Sequence, residues 1–147
     1  MAQWLRGALA QAAPQAIARQ IELSLDAPDT LPARLDQPAF ESIAHNLIDN
    51  ALRYTPDGGN VAVTLRRGGA ALQLSVQDDG PGIPATEQQR VFERFYRGTG
   101  HAANGSGLGL AIVRQAVLRM GGQVQIGVGV NGKGVGFFVS IPLPHSA

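Results

Sequence analysis

The apolar residues between positions 40 and 76 change period once, from helical to alternating, and this change most constrains the fold. A helical stripe comes first, formed by Phe40, Ile43, Leu47, Ile48, Ala51 and Leu52. Asp36 is placed to cap this helix, Pro38 lies in its first turn, and TPDGG at 55–59 ends it. Alternating apolar residues then flank an RRGG turn, at Val61, Val63, Leu65, Leu72, Leu74 and Val76. They predict a β-hairpin directly after the helix.

The flanking segments extend this mixture of helices and strands. An Ala-rich helix, broken near Pro14, is predicted over residues 4–19, and IELSL at 21–25 alternates like a strand. Further helices are predicted at 85–95 and 108–120, and two final strands at QVQIGV and GFFVSIPLP. Because hairpins replace strict βαβ alternation, the pattern predicts a two-layer α/β sandwich, with a mixed sheet packed against three helices.

Composition excludes several functional classes. The chain has 147 residues, enough for one domain, and a net charge of +1, which does not favour a nucleic-acid or anionic-membrane surface. It has no cysteine, which excludes disulfides and thiolate metal sites. No apolar run approaches the ~20 residues that a membrane span requires. The three histidines are scattered without metal-ligand spacing.

Polar residues mark one flank of the helix that begins near Asp36. Asn46 and Asn50 are four residues apart and Arg53 follows three later, so all three share that flank. Amide oxygens are hard ligands that suit Mg²⁺, and a guanidinium beside them would face phosphate oxygens. The alternative is that the two amides are simply exposed and solvated.

Asp78 is the most informative single residue. Period-two alternation places Asp78 on the same core-facing side as Leu72, Leu74 and Val76, and Asp79 on the opposite side. A carboxylate on a buried face needs a hydrogen-bond donor, and an adenine amino group would supply one. The alternative is that Asp78 caps the turn at Gly80–Gly82 or accepts hydrogen bonds from its backbone.

Glycines precede the last predicted helix. In GSGLGLAIV, Gly105, Gly107 and Gly109 lie at or just before the helix start, where main-chain N–H groups can bind phosphate. A flexible loop joined to an ordinary helix is the alternative. GVGVNG at 127–132 also matches GxGxxG, but a predicted strand follows it, so its context is wrong for phosphate binding.

Four segments in this order resemble one known family. They are HNLIDNALRYTP at 45–56, DDGPGIP at 78–84, FERFYR at 92–97 and GSGLGLAIV at 105–113. They are similar to the N, G1, F and G2 boxes of the catalytic and ATP-binding domain of bacterial two-component sensor histidine kinases, in the GHKL superfamily. The resemblance covers roughly residues 20–143, including the closing strands, and implies the superfamily's α/β sandwich.

The resemblance implies roles for individual residues. Asn50 would be the principal Mg²⁺ ligand with Asn46 supporting it, Tyr54 would line the pocket, and Asp78 would bind the adenine amino group. Residues 91–107 would form a lid over ATP. The other implied nucleotide-binding residues are Gly80, Gly82 and Ile83 at the base, Arg53, Arg94 and Arg97 at the phosphates, and Gly105, Gly107, Leu108 and Gly109 at the triphosphate.

Position 46 separates branches of the superfamily. ATPases of the gyrase, chaperone and mismatch-repair types carry a Glu there as a base for the attacking water, whereas the amide of Asn46 cannot accept a proton at neutral pH. The resemblance therefore implies a protein histidine kinase domain that binds Mg·ATP and donates the γ-phosphate. Alternatives are a stand-alone serine kinase of the anti-sigma type and a silent ATP-binding module.

The resemblance also implies partners that other domains supply. The acceptor histidine would lie on a separate dimerisation domain, and a response regulator would receive the phosphate from it. Residues 1–19 would be the end of a linker from that upstream domain, and residues 20–147 the catalytic domain. The domain would be cytoplasmic and would not contact the membrane directly, within a parent kinase anchored in the bacterial inner membrane.

Overall fold

The computed structural model describes residues 2–28, 36–80 and 109–143. In chain order they form α1 (Ala2–Ala18), β1 (Glu22–Asp26), α2 (Gln37–Tyr54), β2 (Asn60–Gly68), β3 (Ala71–Asp78), α3 (Gly109–Arg119), β4 (Gln123–Val128) and β5 (Val135–Pro142). The predicted strands and the helices near 37–54 and 109–119 are thereby confirmed. The helix predicted at 85–95 lies outside the described residues.

The five strands form one mixed sheet in the order β1-β2-β3-β5-β4. β1 pairs with β2 in parallel, whereas the other three pairings are antiparallel. The predicted hairpin is present, with Val63 opposite Val76 and Leu65 opposite Leu74. β4 follows α3 in the chain but does not pair with β3, because β5 lies between β3 and β4 in the sheet.

The core lies between one face of the sheet and the helices. α2 buries the predicted stripe from Phe40 to Leu52, and the inward residues of β2, β3 and β5 pack beneath it. Each strand alternates, so its other residues lie on the opposite face of the sheet. Asp36 caps α2 through a hydrogen bond from Ala39 N to its carboxylate at 3.1 Å, as predicted. These features confirm the α/β sandwich.

The first helix differs from its sequence prediction. α1 runs through Pro14 as one helix, so the predicted break near Pro14 is wrong. Proline removes one backbone donor from the helix, but Leu5, Leu9 and Ala16 are buried on both sides of it and hold the two halves against the core. The ring of Trp4 also contacts Phe40 edge-on, with centroids 6.1 Å apart. α1 is thus packed into the same core, while an upstream domain remains a prediction.

Among the described residues, no helix combines the length and apolarity that crossing a membrane requires.

Candidate functional site

Asp78 lies at the end of β3 and is only 4% exposed. Its Oδ1 accepts two backbone hydrogen bonds, from Gly80 N at 2.9 Å and from Val135 N at 3.2 Å. No residue within 2–28, 36–80 or 109–143 donates to its Oδ2. The prediction of a core-facing carboxylate is therefore confirmed. The alternative, acceptance from turn backbone, is also correct, but only for one of the two oxygens.

Burial sets the protonation of this carboxylate. Removal from water raises the pKa of Asp78 above its ordinary value, the two backbone hydrogen bonds oppose that rise, and the neighbouring charge of Asp79 adds to it. Ionising the Asp78 carboxylate is therefore costly while its second oxygen, Oδ2, lacks a hydrogen-bond donor. A ligand N–H at this position would offset part of that cost.

The connection from β4 to β5 closes around Asp78, and sequence reasoning missed it. A Cβ on Gly134 would lie 2.4 Å from Asp78 O and 2.5 Å from its Oδ1, and a Cβ on Gly129 would lie 1.9 Å from Asp78 O. Only glycine permits this approach. The signal in the sequence is the glycine-rich run that contains GVGVNG, where the lack of a following helix argues only against phosphate binding. Its glycines instead let one backbone pack against another.

Asp79 has a structural role that the sequence did not reveal. Its carboxylate accepts from Asn60 N and from Asn60 Nδ2, both at 2.8 Å. These hydrogen bonds, the side-chain bond first, lower the pKa of Asp79 below its ordinary value. Asp79 therefore ties the start of β2 to the end of β3, next to Asp78.

The polar flank of α2 has the predicted arrangement. Asn46 and Asn50 are half-buried on this continuous helix. Asn46 Nδ2 donates to Ser42 O at 2.7 Å, so its amide is oriented and its Oδ1 is directed away from that bond. Asn46 is therefore not a freely solvated amide, and the metal-binding role of both amides stays a prediction.

Arg53 and Tyr54 end α2. Arg53 Nη2 lies 3.1 Å from Asp49 Oδ2, an ion pair between two partly exposed side chains that sequence analysis did not anticipate. Tyr54 is half-buried. A Cβ on Gly80 would lie 3.1 Å from Tyr54 O, so the last residue of α2 is close to the turn after β3. The helix flank and Asp78 therefore meet at one end of the sheet.

Several predicted site residues lie outside the described residues. These are Gly82, Ile83, Arg94, Arg97, Gly105, Gly107 and Leu108, together with the lid at 91–107. Gly109 is the first residue of α3, as its position in the glycine-rich helix start predicts.

The donor set fits magnesium better than a transition metal. No group of three His, Cys, Asp or Glu side chains that could hold a metal occurs within the described ranges. The available ligands are the amide oxygens of Asn46 and Asn50, which suit a hard cation that keeps water and phosphate ligands. The Oδ2 acceptor of Asp78 and these amides together fit a nucleotide with its metal.

Residues 35–145 match the family described as histidine kinase-, DNA gyrase B- and HSP90-like ATPase. Over 135 residues the chain is 37% identical to the swarming motility regulation sensor protein RssA of Serratia marcescens. That match covers 91% of this chain but 29% of RssA, so the chain spans less than a third of this relative.

Solved structures give the same fold. A mycobacterial sensor histidine kinase structure, MprB, superposes with a TM-score of 0.84 at 30% identity, covering 99% of this chain and 97% of that one. Full-length ShkA in complex with AMPPNP gives a TM-score of 0.82 at 33% identity, covering 97% of this chain and 30% of ShkA.

Proposed function

Because this chain belongs to the histidine kinase-, DNA gyrase B- and HSP90-like ATPase family, we propose that it binds Mg·ATP and donates the γ-phosphate to a histidine. The acceptor histidine lies on a separate dimerisation domain of a two-component sensor kinase. The observation that carries this proposal is Asp78, a buried carboxylate with one oxygen held by backbone and the other without a donor from the described residues.

Asp78 selects adenine in this proposal. Gly80 N and Val135 N orient the carboxylate through Oδ1, which leaves Oδ2 to accept a hydrogen bond from the exocyclic amino group. Guanine carries a carbonyl oxygen at the corresponding position, and two acceptors facing each other in a buried site repel. The chain should therefore prefer ATP to GTP.

Asn50 and Asn46 hold the metal in this proposal. The hydrogen bond from Asn46 Nδ2 to Ser42 O supports this role, because it fixes the amide with its oxygen available. Mg²⁺, when bound, neutralises charge on the phosphates during transfer. Arg53 exchanges its exposed pairing with Asp49 for phosphate oxygens, at little cost because surface pairs contribute little. Tyr54 lines the pocket, and Arg94 and Arg97 reach the terminal phosphates.

The site donates phosphate and does not hydrolyse ATP efficiently. Asn46 occupies the position where hydrolytic members of the superfamily carry a glutamate, and an amide cannot accept a proton from water. Transfer forms a bond between an imidazole nitrogen and the γ-phosphorus and breaks the bond to the β,γ-bridging oxygen, which leaves ADP. A response regulator then takes the phosphate from the histidine. The domain works in the cytoplasm, where its parent kinase meets ATP.

Calorimetric titration tests nucleotide binding directly. The purified chain is titrated with Mg·ATP, with ATP in EDTA, and with Mg·GTP. We expect binding that requires the metal and favours adenine. Equal affinity for ATP and GTP would contradict the role of Asp78, and equal affinity in EDTA would contradict the metal site.

A transfer assay tests the reaction itself. The chain is mixed with γ-labelled ATP and a histidine-bearing dimerisation domain from the same organism, and acid-labile, base-stable label on that domain is the expected product. Acid-stable label on a serine would indicate the serine-kinase alternative. Binding without any transfer would indicate a silent module.

A further inference from the structure

The site helix α2 ends with a carbonyl that its own backbone cannot satisfy. In an α-helix, the carbonyl of Leu52 would accept from the N–H of the residue four positions later. That residue is Pro56, which has no N–H. Thr55 N and Thr55 Oγ1 cannot serve it, because both donate to Ala51 O, the carbonyl of the preceding residue. The Leu52 carbonyl therefore needs a donor from outside the helix.

Arg19 supplies that donor from the corner between α1 and β1. Its Nη1 donates to Leu52 O and its Nη2 donates to Thr55 O. Its Nε also pairs with Asp57 Oδ1 at 2.8 Å. The guanidinium thus satisfies two main-chain carbonyls at the negative end of the helix dipole, and its planar fork suits two acceptors at once.

The backbone of the same corner strengthens the contact. Gly58 N donates to Arg19 O at 3.0 Å, and Glu22 N donates to Gly59 O at 2.9 Å. Gln20 adopts a left-handed conformation with φ of 57°, which turns the chain sharply between α1 and β1. These hydrogen bonds therefore fix the segment from Arg19 to Glu22 against the loop from Thr55 to Gly59.

That loop leads to the nucleotide site. A Cβ on Gly59 would lie 2.8 Å from Asp79 Oδ1, and a Cβ on Gly80 would lie 3.1 Å from Tyr54 O. Gly80 N in turn donates to Asp78 Oδ1. Displacement of the end of α2 would therefore move the turn that orients the Asp78 carboxylate.

We propose that Arg19 is a positioning residue for the nucleotide site: by capping the C-terminal carbonyls of α2, it holds Tyr54 and the turn at Gly80 in register with Asp78. This inference rests on the proposed function. It gives the corner between α1 and β1 a role in nucleotide binding, although this corner carries none of the residues that contact the nucleotide in the proposed function.

The test compares Arg19→Ala and Arg19→Lys with Asp57→Ala. Asp57→Ala is the matched control, because it removes the exposed ion pair and keeps both carbonyl contacts; the Asp57 side chain is 74% exposed. The Kd for Mg·ATP is measured by calorimetry at a temperature where thermal melting shows every variant folded. We expect Arg19→Ala to raise Kd at least fivefold and Asp57→Ala to stay within twofold. Arg19→Lys should give a Kd between those of Arg19→Ala and wild type, because its ammonium keeps the charge but lacks the planar fork that meets both carbonyls.

Amide hydrogen exchange gives a readout that needs no nucleotide. Arg19→Ala should accelerate exchange at Thr55 and Gly80 at least tenfold and leave Leu74, in the centre of the sheet, unchanged. A lower melting temperature with Kd within twofold of wild type would overturn the proposal, as would equal losses of affinity in Arg19→Ala and Asp57→Ala.

The two proposals fail separately. If the wild-type chain does not bind ATP, the proposed function fails. The role of Arg19 is still tested in that case: an exchange rate at Gly80 of Arg19→Ala equal to that of wild type would overturn it. If Arg19→Ala does not fold, Arg19→Gln is measured in its place against the same thresholds.

Discussion

The backbone N–H of Val135 donates to Oδ1 of Asp78 across 3.2 Å, joining residues 57 positions apart in the chain. The bond connects the first residue of β5 to the last residue of β3. It fixes the rotation of the Asp78 side chain, so that one carboxylate oxygen is committed to the protein. The other oxygen is the acceptor on which the proposed recognition of adenine depends.

Asp78→Asn should separate stability from binding. Asn Oδ1 can still accept from Gly80 N and Val135 N, but Nδ2 replaces the acceptor that adenine needs. We expect a loss of about 1–3 kcal/mol in binding, or roughly 5- to 150-fold in Kd for Mg·ATP. Calorimetry measures this loss, and an unchanged Kd would reject the role of Asp78.

The burial of Asp78 also predicts how the stability difference between wild type and Asp78→Asn depends on pH. The pKa of Asp78 is raised by burial, so the stability it contributes is fully present below its unfolded pKa of about 3.9. That contribution is lost as pH rises through the higher folded pKa. Asp78→Asn has no such loss, so its melting temperature relative to wild type should increase with pH across this range. A relative decrease in thermal melts would contradict the burial argument.

Gly134→Ala should damage the site more than Gly132→Ala. Both glycines have left-handed backbone, with φ of 71° and 79°, so both variants carry a backbone cost of about 1–2 kcal/mol. Only Gly134 lies against Asp78; a Cβ on Gly132 would meet nothing within 4 Å. Urea denaturation should show a further loss of about 1–3 kcal/mol for Gly134→Ala. The ATP affinity of Gly134→Ala should fall below that of Gly132→Ala. Equal affinities in the two variants would contradict a role of the Gly134 contact in orienting Asp78.

Asp79→Ala should weaken the fold at the start of β2. The variant loses both hydrogen bonds to Asn60, for an expected cost of about 1 kcal/mol at neutral pH. The pKa of Asp79 is lowered, so its contribution is present above the unfolded pKa and is lost as pH falls through the folded pKa. Denaturation at pH 7 and at low pH measures the difference. Asp26→Ala, which breaks the exposed pair with Arg66, is the control and should change little.

Asn50→Ala and Asn46→Ala should reduce the metal dependence of binding. The ratio of Kd in EDTA to Kd in Mg²⁺ should fall towards one for Asn50→Ala and partly for Asn46→Ala, because each removes a proposed ligand. Asn50→Ala should also abolish transfer to an added acceptor domain. His45→Ala, an exposed change on the same helix, should keep the wild-type ratio. Normal transfer by Asn50→Ala would exclude it as the main metal ligand.

Local periodicity predicted much of this fold because it reports on single elements. The stripe from Phe40 to Leu52 specified α2 and its buried face. Strict alternation through Leu72, Leu74 and Val76 predicts the buried face for Asp78 without reference to any partner strand. The same reasoning failed at Pro14, because a local propensity to break a helix was outweighed by burial of residues on both sides.

Spacing within single segments is enough to predict most of the described elements, the four motifs and the buried face for Asp78. The partners follow only from the packing of distant segments: Val135 for Asp78, Asn60 for Asp79, and Arg19 for the end of α2. Each of these contacts joins residues 19 to 57 positions apart. Such pairs depend on the order of the strands in the sheet and on the contact between the α1–β1 corner and the loop after α2. A local hydrophobic period carries no information about either, so these contacts cannot be predicted from single segments.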